Sequence, residues 1–231
     1  MGTCIVNDSV FKTELQPLEV ADINPPHRGM TPYECKIICT SPEIPLQKKV
    51  FYRIIYESMF RPFEVLHLKI EDWDRVQCLV TARRVKQKYD RKNKIYLPTH
   101  PRTARITENT NMMLRKLISN RKKGAIFITR SGQPYKGKRH MNKEIDMHAR
   151  LLGIQQEFGE TGVGHKIHLV TLMALRKAGE RHHDNNGGSR KLSALAAGHT
   201  MRTKEKHYDE IDFEPVWESM GKNHPAFAEG W

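Results

Sequence analysis

Apolar residues recur at helical spacing along most of this chain, and the period shortens to two in one region only. Val50, Phe51, Ile54 and Ile55 share one face of a helix predicted over 48–58. Met59-Phe60-Arg61-Pro62 breaks that helix, and Pro62 suits the first turn of the next. Helical spacing returns from Thr107 through Met112, Met113, Leu117 and Ile118, again over 139–152, and over 169–182, which Asn185-Asn186-Gly187-Gly188 ends. Thr31 and Pro32 predict the onset of order, as cap and first helical residue. Ser189 caps a helix whose Leu192, Leu195 and Ala196 face the core and which Gly198 stops. Between these helices Val76, Cys78, Val80 and Ala82 alternate with Gln77, Leu79, Thr81 and Arg83, the pattern of a half-buried strand. A lysine-rich turn from Lys86 to Lys94 leads to Ile95-Tyr96-Leu97, read as the returning strand of a β-hairpin. Ala125 to Ile128 is a short buried stretch, and Gly159 to Gly164 a loop. No internal repeat is present. The expected fold class is mainly α with a small antiparallel β-hairpin or sheet, an α+β domain.

The 231 residues allow one fair-sized domain with a short appendage. Residues 1–29, with Pro17, Pro25 and Pro26 and no sustained period, read as an N-terminal arm or linker. Lysine and arginine total 39 against 26 acids, a net charge of +13, which favours a polyanionic partner. Nucleic acid leads and an anionic membrane surface follows. No apolar run approaches the roughly 18–20 residues that span a bilayer, and Met1 to Val20 has no signal-peptide core, so no membrane role and a cytoplasmic, DNA-associated location are expected. Four sparse cysteines (Cys4, Cys35, Cys39, Cys78) read as free thiols; Cys35 and Cys39 have no second pair at ligand spacing, so no metal is expected. The basic runs Arg121-Lys122-Lys123 and Lys136-Gly137-Lys138-Arg139, with Lys86, are candidate contacts to backbone phosphate, or a solvating surface.

Two ordered blocks carry a more specific signal. Arg61 is followed by Glu64 three residues on, Leu66 and Leu68 five and seven on, and Asp72 and Asp74 eleven and thirteen on. Leu175-Arg176 is followed by Gly198-His199 at 22 and 23 residues and by Tyr208 nine beyond His199. With the lysine-rich turn between them, these blocks resemble the tyrosine recombinase family of phage integrases and Xer proteins. The stretch from Gly124 to Pro134 is also similar to a Phe…Gly-x-Pro segment of that family. The resemblance covers roughly residues 30–212, which it implies are the catalytic domain. Residues 213–231 would be a C-terminal tail whose Phe213, Val216, Trp217 and Met220 are either core or a helix docking onto a neighbouring protomer. The separate N-terminal core-binding domain that most members carry is not found in these 231 residues, as expected of a minimal form, of a piece of a longer chain, or of a remnant.

The resemblance implies a chemistry and a role for each residue. Arg61 and Arg176 would stabilise charge on the nonbridging phosphate oxygens, with His199 donating to the same group. Tyr208 would attack to give a 3′-phosphotyrosyl intermediate that conserves bond energy for rejoining without a cofactor. A turn lysine would protonate the departing 5′ oxygen; spacing back from Pro98 favours Lys88, with Lys86 as alternative. One position departs from the pattern. Met173 stands three residues before Arg176, where members carry histidine, and a thioether cannot move a proton. His168 or His165 would then have to serve. His182 and His183 fall outside the pattern and read as surface residues. The reading is therefore a site-specific recombinase or integrase of a mobile element, acting on duplex DNA as a homo-tetramer. The alternatives are a weak or inactive recombinase-derived DNA-binding protein, and a relative of telomere resolvases or type IB topoisomerases.

Overall fold

The computed structural model describes residues 29–83, 89–90, 95–96, 101–162, 164, 166–198 and 214–231. Helices α1 (Pro32–Thr40), α2 (Leu46–Ser58) and α3 (Pro62–Leu66) come first. Thr31 and Glu34 close a capping box on α1: the Glu34 amide donates to Thr31 Oγ1 (3.2 Å) and the Thr31 amide to Glu34 Oε2 (2.8 Å). A short 3-10 turn (Ile70–Asp72) leads into β1 (Trp73–Asp74), β2 (Leu79–Ala82), β3 (Tyr89–Asp90), β4 (Ile95–Tyr96) and β5 (Arg102–Arg105). Then follow α4 (Glu108–Ile118), α5 (Arg139–Leu151), β6 (Glu157–Glu160), β7 (Lys166–His168), α6 (Leu172–Asn185), α7 (Arg190–Ala197), α8 (Glu214–Asn223) and α9 (Pro225–Ala228).

Helix α2 is the axis of the core, because every residue from Val50 to Ser58 is buried. It packs against α1, α4 and α6. A helix enclosed on all sides must satisfy its own polar groups. Arg53 donates to Thr110 Oγ1 (2.6 Å), Thr107 Oγ1 (3.1 Å) and the Trp231 carbonyl, and lies 3.2 Å from Glu57. Glu57 accepts from the Thr107 amide (2.9 Å) and Thr110 Oγ1 (2.7 Å). The closest helix pairing is α2 with α6, where a Cβ on Gly179 would stand 2.4 Å from the Tyr56 carbonyl.

Three expectations change. β2 is the middle strand of a three-stranded antiparallel sheet, with β1 on one side (Trp73 opposite Val80) and β5 on the other (Ala82 opposite Arg102, Leu79 opposite Arg105). Ile95-Tyr96 instead pairs with Tyr89-Asp90 in a separate two-stranded sheet. Alternation located only the second half of the expected strand, since Val76, 90% exposed, and Cys78, at φ 56°, lie in the turn before β2. It did not find the partners, because register depends on contacts between strands that no local period records. A second hairpin, β6 with β7, brackets the stretch read as a loop at 159–164. His182 and His183 are 4% and 0% exposed, not surface residues, since α6 turns that face onto α2 and α8. At the end of the chain α8 packs on this chain's own α6 and α7 and on α9, with Val216 and Met220 against Met59 and Ala197.

Candidate active site

The end of α2 places the first arginine. Met59 closes that helix in the left-handed region (φ 54°), and the chain turns so that Arg61 becomes the N-cap of α3 with Pro62 at its first position. Glu64, one turn in and 1% exposed, accepts from the Arg61 amide at Oε2 (2.7 Å) and from Arg61 Nη1 at Oε1 (3.0 Å). This carboxylate fixes the arginine's backbone and fork together. The Arg61 side chain remains 28% exposed.

The second arginine enters from α6, whose N-terminus Thr171 caps by accepting from the Ala174 amide (3.0 Å). Arg176 is 3% exposed. Its Nε donates to the Met59 carbonyl (2.7 Å) and its Nη2 to the Ala197 carbonyl (2.5 Å), with Glu180 3.7 Å away. Burial pushes its pKa down, Glu180 raises it, and the Arg61 charge lowers it further. The two arginines, 115 positions apart in sequence, are thus brought into one corner by the backward turn at Met59.

A third guanidinium shares this corner and was not among the sequence candidates. Arg102 in β5 meets Glu64 Oε2 through Nη2, donates from Nη1 to the Ala196 carbonyl (3.1 Å), and lies over the Phe60 ring at 4.9 Å. Desolvation lowers its pKa, Glu64 opposes that, and the charges of Arg61 and Arg176 lower it again. The strand pattern carries a signal for it: Arg102 alternates in phase with Ala104 and Ile106, both buried, so its side chain points inward.

Met173, in the first turn of α6 and three residues before Arg176, is 37% exposed. It lines a cavity of about 200 Å³ with Pro62, Lys138, Asn142, Asp146 and His168. His168 Nδ1 is buried without a hydrogen-bond partner among the described residues, 3.8 Å from Asp146 Oδ1. Although burial raises the Asp146 pKa, hydrogen bonds from Arg150 and Gln155 and the charges of Arg150 and His168 hold it below the usual value. An imidazole therefore does lie beside the methionine, paired with an ionised carboxylate.

The basic candidates divide. Lys136, Lys138 and Arg139 are exposed at the start of α5, and Lys136 and Arg139 line a groove of about 660 Å³ with Thr129, Ser131, Tyr135, His140 and Lys143. Lys138 shares the Met173 cavity with Pro62, so this group adjoins the Arg61 corner. Arg121 is engaged elsewhere, donating to the carbonyls of Ala125 (2.7 Å) and Ile126 (3.0 Å). Lys122 and Lys123 are exposed beside Gly124, whose amide donates to Glu71 (3.1 Å). Lys86, Lys88, His165, His199 and Tyr208 lie outside the described residues, as do residues 1–28 and Pro98.

A scan against models of protein families found no match, and a search of curated proteins found none either. Solved structures do match in fold. The XerA recombinase superposes with a TM-score of 0.62 at 16% identity, covering 90% of this chain and 67% of XerA. The Tn1549 transposon integrase in complex with a circular intermediate DNA gives 0.57 at 15% identity, over 79% of this chain and 61% of that one. The XerH site-specific recombinase bound to difH substrate in a pre-cleavage complex gives 0.51 at 15%, over 75% and 47%. The fold is that of a tyrosine recombinase catalytic domain. This chain spans two thirds or less of the length of these recombinases, and the likeness is one of fold.

Proposed function

We propose that this chain is the catalytic domain of a DNA strand-exchange enzyme, a site-specific recombinase or integrase that cleaves duplex DNA through a phosphotyrosine at Tyr208. The observation that carries this reading is the convergence of Arg61 and Arg176 on one corner around Glu64 and the end of α7. Two guanidiniums there suit the nonbridging oxygens of a scissile phosphate, where charge grows during attack by an alcohol. His199 donates to the same phosphate, and Lys88 or Lys86 protonates the leaving 5′ oxygen. Lys136, Lys138 and Arg139 track the adjoining backbone phosphates. The enzyme acts as a homo-tetramer joining two duplexes and uses no cofactor. Telomere resolution and type IB strand passage share the first chemical step and differ in which ends are rejoined.

A nicked suicide substrate, from which the cleaved fragment diffuses away, tests the reading. Wild type should accumulate a covalent protein–DNA adduct and Tyr208→Phe none. Adduct in the phenylalanine variant would move the nucleophile elsewhere. Met173 favours a second reading, a recombinase-derived protein that binds DNA without cutting it, because no proton acceptor occupies that position. Met173→His should raise the cleavage rate ~10-fold or more, since a positioned base typically contributes about 10²–10⁴-fold. If wild type cleaves fast and this variant changes nothing, His168 supplies the role, and His168→Ala should then slow the reaction. Binding without cleavage in every variant would select the second reading.

A further inference from the structure

Arg102 is absent from the recognised sequence pattern and from the roles assigned above, yet it contacts both the carboxylate that holds Arg61 and the end of α7 that holds Arg176. It meets Glu64 Oε2, the oxygen that also accepts the Arg61 amide. Through Nη1 it holds the Ala196 carbonyl, while Arg176 holds the next carbonyl, Ala197. Two successive carbonyls at the electronegative end of α7 are thus each taken by a guanidinium. Its own Nε is buried without a partner among the described residues. Gly198, in the left-handed region at φ 66°, lies against it: a Cβ there would stand 2.2 Å from Arg102 Nη1.

We propose that Arg102 is a positioning residue, whose fork ties the Glu64 carboxylate that orients Arg61 to the last turn of α7 that holds Arg176. The inference rests on reading the Arg61–Arg176 corner as a phosphate site. Two physical consequences follow from the geometry. The separation of the two phosphate-facing guanidiniums is set by a chain of short contacts through Glu64, Arg102 and α7 rather than left to two long side chains. The Glu64 charge is also shared. Paired with Arg61 alone it would neutralise that arginine, whereas divided between Arg61 and Arg102 it leaves positive charge for an anion. Lysine cannot replace this fork, because a single ammonium on a flexible stem does not span Glu64 and Ala196 in one plane.

Four variants of the full chain test the idea: Arg102→Lys, Arg102→Gln, Gly198→Ala, and Gly198→Ala combined with Arg102→Gln. Thermal unfolding reads the clamp. Gly198→Ala should lower the melting temperature more in the wild-type background than beside Arg102→Gln, where the blocking guanidinium is gone. Strictly additive losses would overturn the contact. Inorganic phosphate, titrated while the Nε–H signals of Arg61 and Arg176 are followed by NMR, reads the positioning. Both Arg102 variants should bind phosphate about 10-fold more weakly or worse, with lysine recovering charge but not affinity. Wild-type phosphate affinity in both would overturn the proposal even if the unfolding losses couple. No phosphate response in wild type would instead sink the phosphate-site reading, and the positioning role with it, while coupled unfolding losses would leave Arg102 a purely structural clamp.

Discussion

Arg61 and Arg176 do the same work in the proposed chemistry but are held differently, and that difference is measurable. Arg176 is enclosed, with two backbone carbonyls depending on its fork. Arg61 stands at the surface, and Glu64 keeps an alternative partner in Arg102 if Arg61 shortens. Arg176→Lys should therefore cost about 1–3 kcal/mol of stability, the usual penalty for a buried polar group losing its partner. Arg61→Lys should leave unfolding nearly unchanged. Both should lower adduct formation by roughly 10²-fold or more, as when one donor to a developing oxyanion is lost. Urea titration beside the suicide-substrate assay separates the two; equal stability losses would mean the carbonyl contacts of Arg176 carry little weight. Glu64 was visible in the sequence only as a matched offset. Its burial between two arginines is what shows why the offset is needed.

Among the elements, α2 and α6 form the contact on which the corner depends, since one ends at Met59 and the other carries Arg176. Their closeness rests on Gly179, which leaves no room for a side chain against the Tyr56 carbonyl. Gly179→Ala should push the helices apart and destabilise the fold by about 1–3 kcal/mol despite alanine's better helix propensity, as overpacking does. A variant as stable as wild type would show that α6 can shift without cost. The same pair holds buried histidines. His182 takes a hydrogen bond from the Tyr56 hydroxyl at Nδ1 (2.8 Å) and gives one from Nε2 to the Met30 carbonyl (2.8 Å). His224 gives one from Nε2 to the Tyr56 carbonyl (3.0 Å) and accepts at Nδ1 from the Ala226 amide (3.3 Å). Acceptance at Nδ1 is a role that only the neutral ring can fill.

Desolvation accordingly lowers the pKa of His182 to about 4 and that of His224 to about 3. The unfolded chain, near 6.5, binds these protons first. The stabilisation is complete above pH 6.5 and is lost as pH falls from there toward the folded values, on the order of 3 kcal/mol per histidine by pH 4. Urea midpoints should fall steeply between pH 6.5 and 4.5, and less so in His224→Gln; a flat profile would refute the neutral assignment.

For the whole molecule, the net charge of +13 becomes useful only where it adjoins the site. Half-buried Arg61 and exposed Lys136, Lys138 and Arg139 are cations of that region. If these four neutralise phosphates, DNA affinity should drop about 10²-fold between roughly 50 and 200 mM salt, from the release of condensed counterions. A filter-binding series checks the slope, and salt-independent binding would exclude a phosphate-tracking groove. Lys122→Ala and Lys123→Ala should alter that slope less than Lys138→Ala, because only Lys138 lines the cavity beside Pro62.

Helix positions, caps and the two arginine blocks were legible in the sequence because each depends on neighbours within a turn or two. Thr31, Pro62, Thr107 and Gly198 all act where local chemistry places them, whereas the helix expected over 169–182 starts at Leu172 with Thr171 as its cap. Resemblance to a family's fixed offsets also selected Arg61 and Arg176, since such offsets survive any change of packing. The tertiary structure decided what local period cannot carry. It chose β5 over Ile95-Tyr96 as the partner of β2, and so turned Arg102 into the corner. It buried His182 and His183, which read as polar surface until α6 met α2 and α8. It placed His168 beside Met173, five positions and a strand-to-helix turn away. Each of these is a choice among long-range pairings whose energies arise only when both partners leave water together, so one segment's sequence does not contain it.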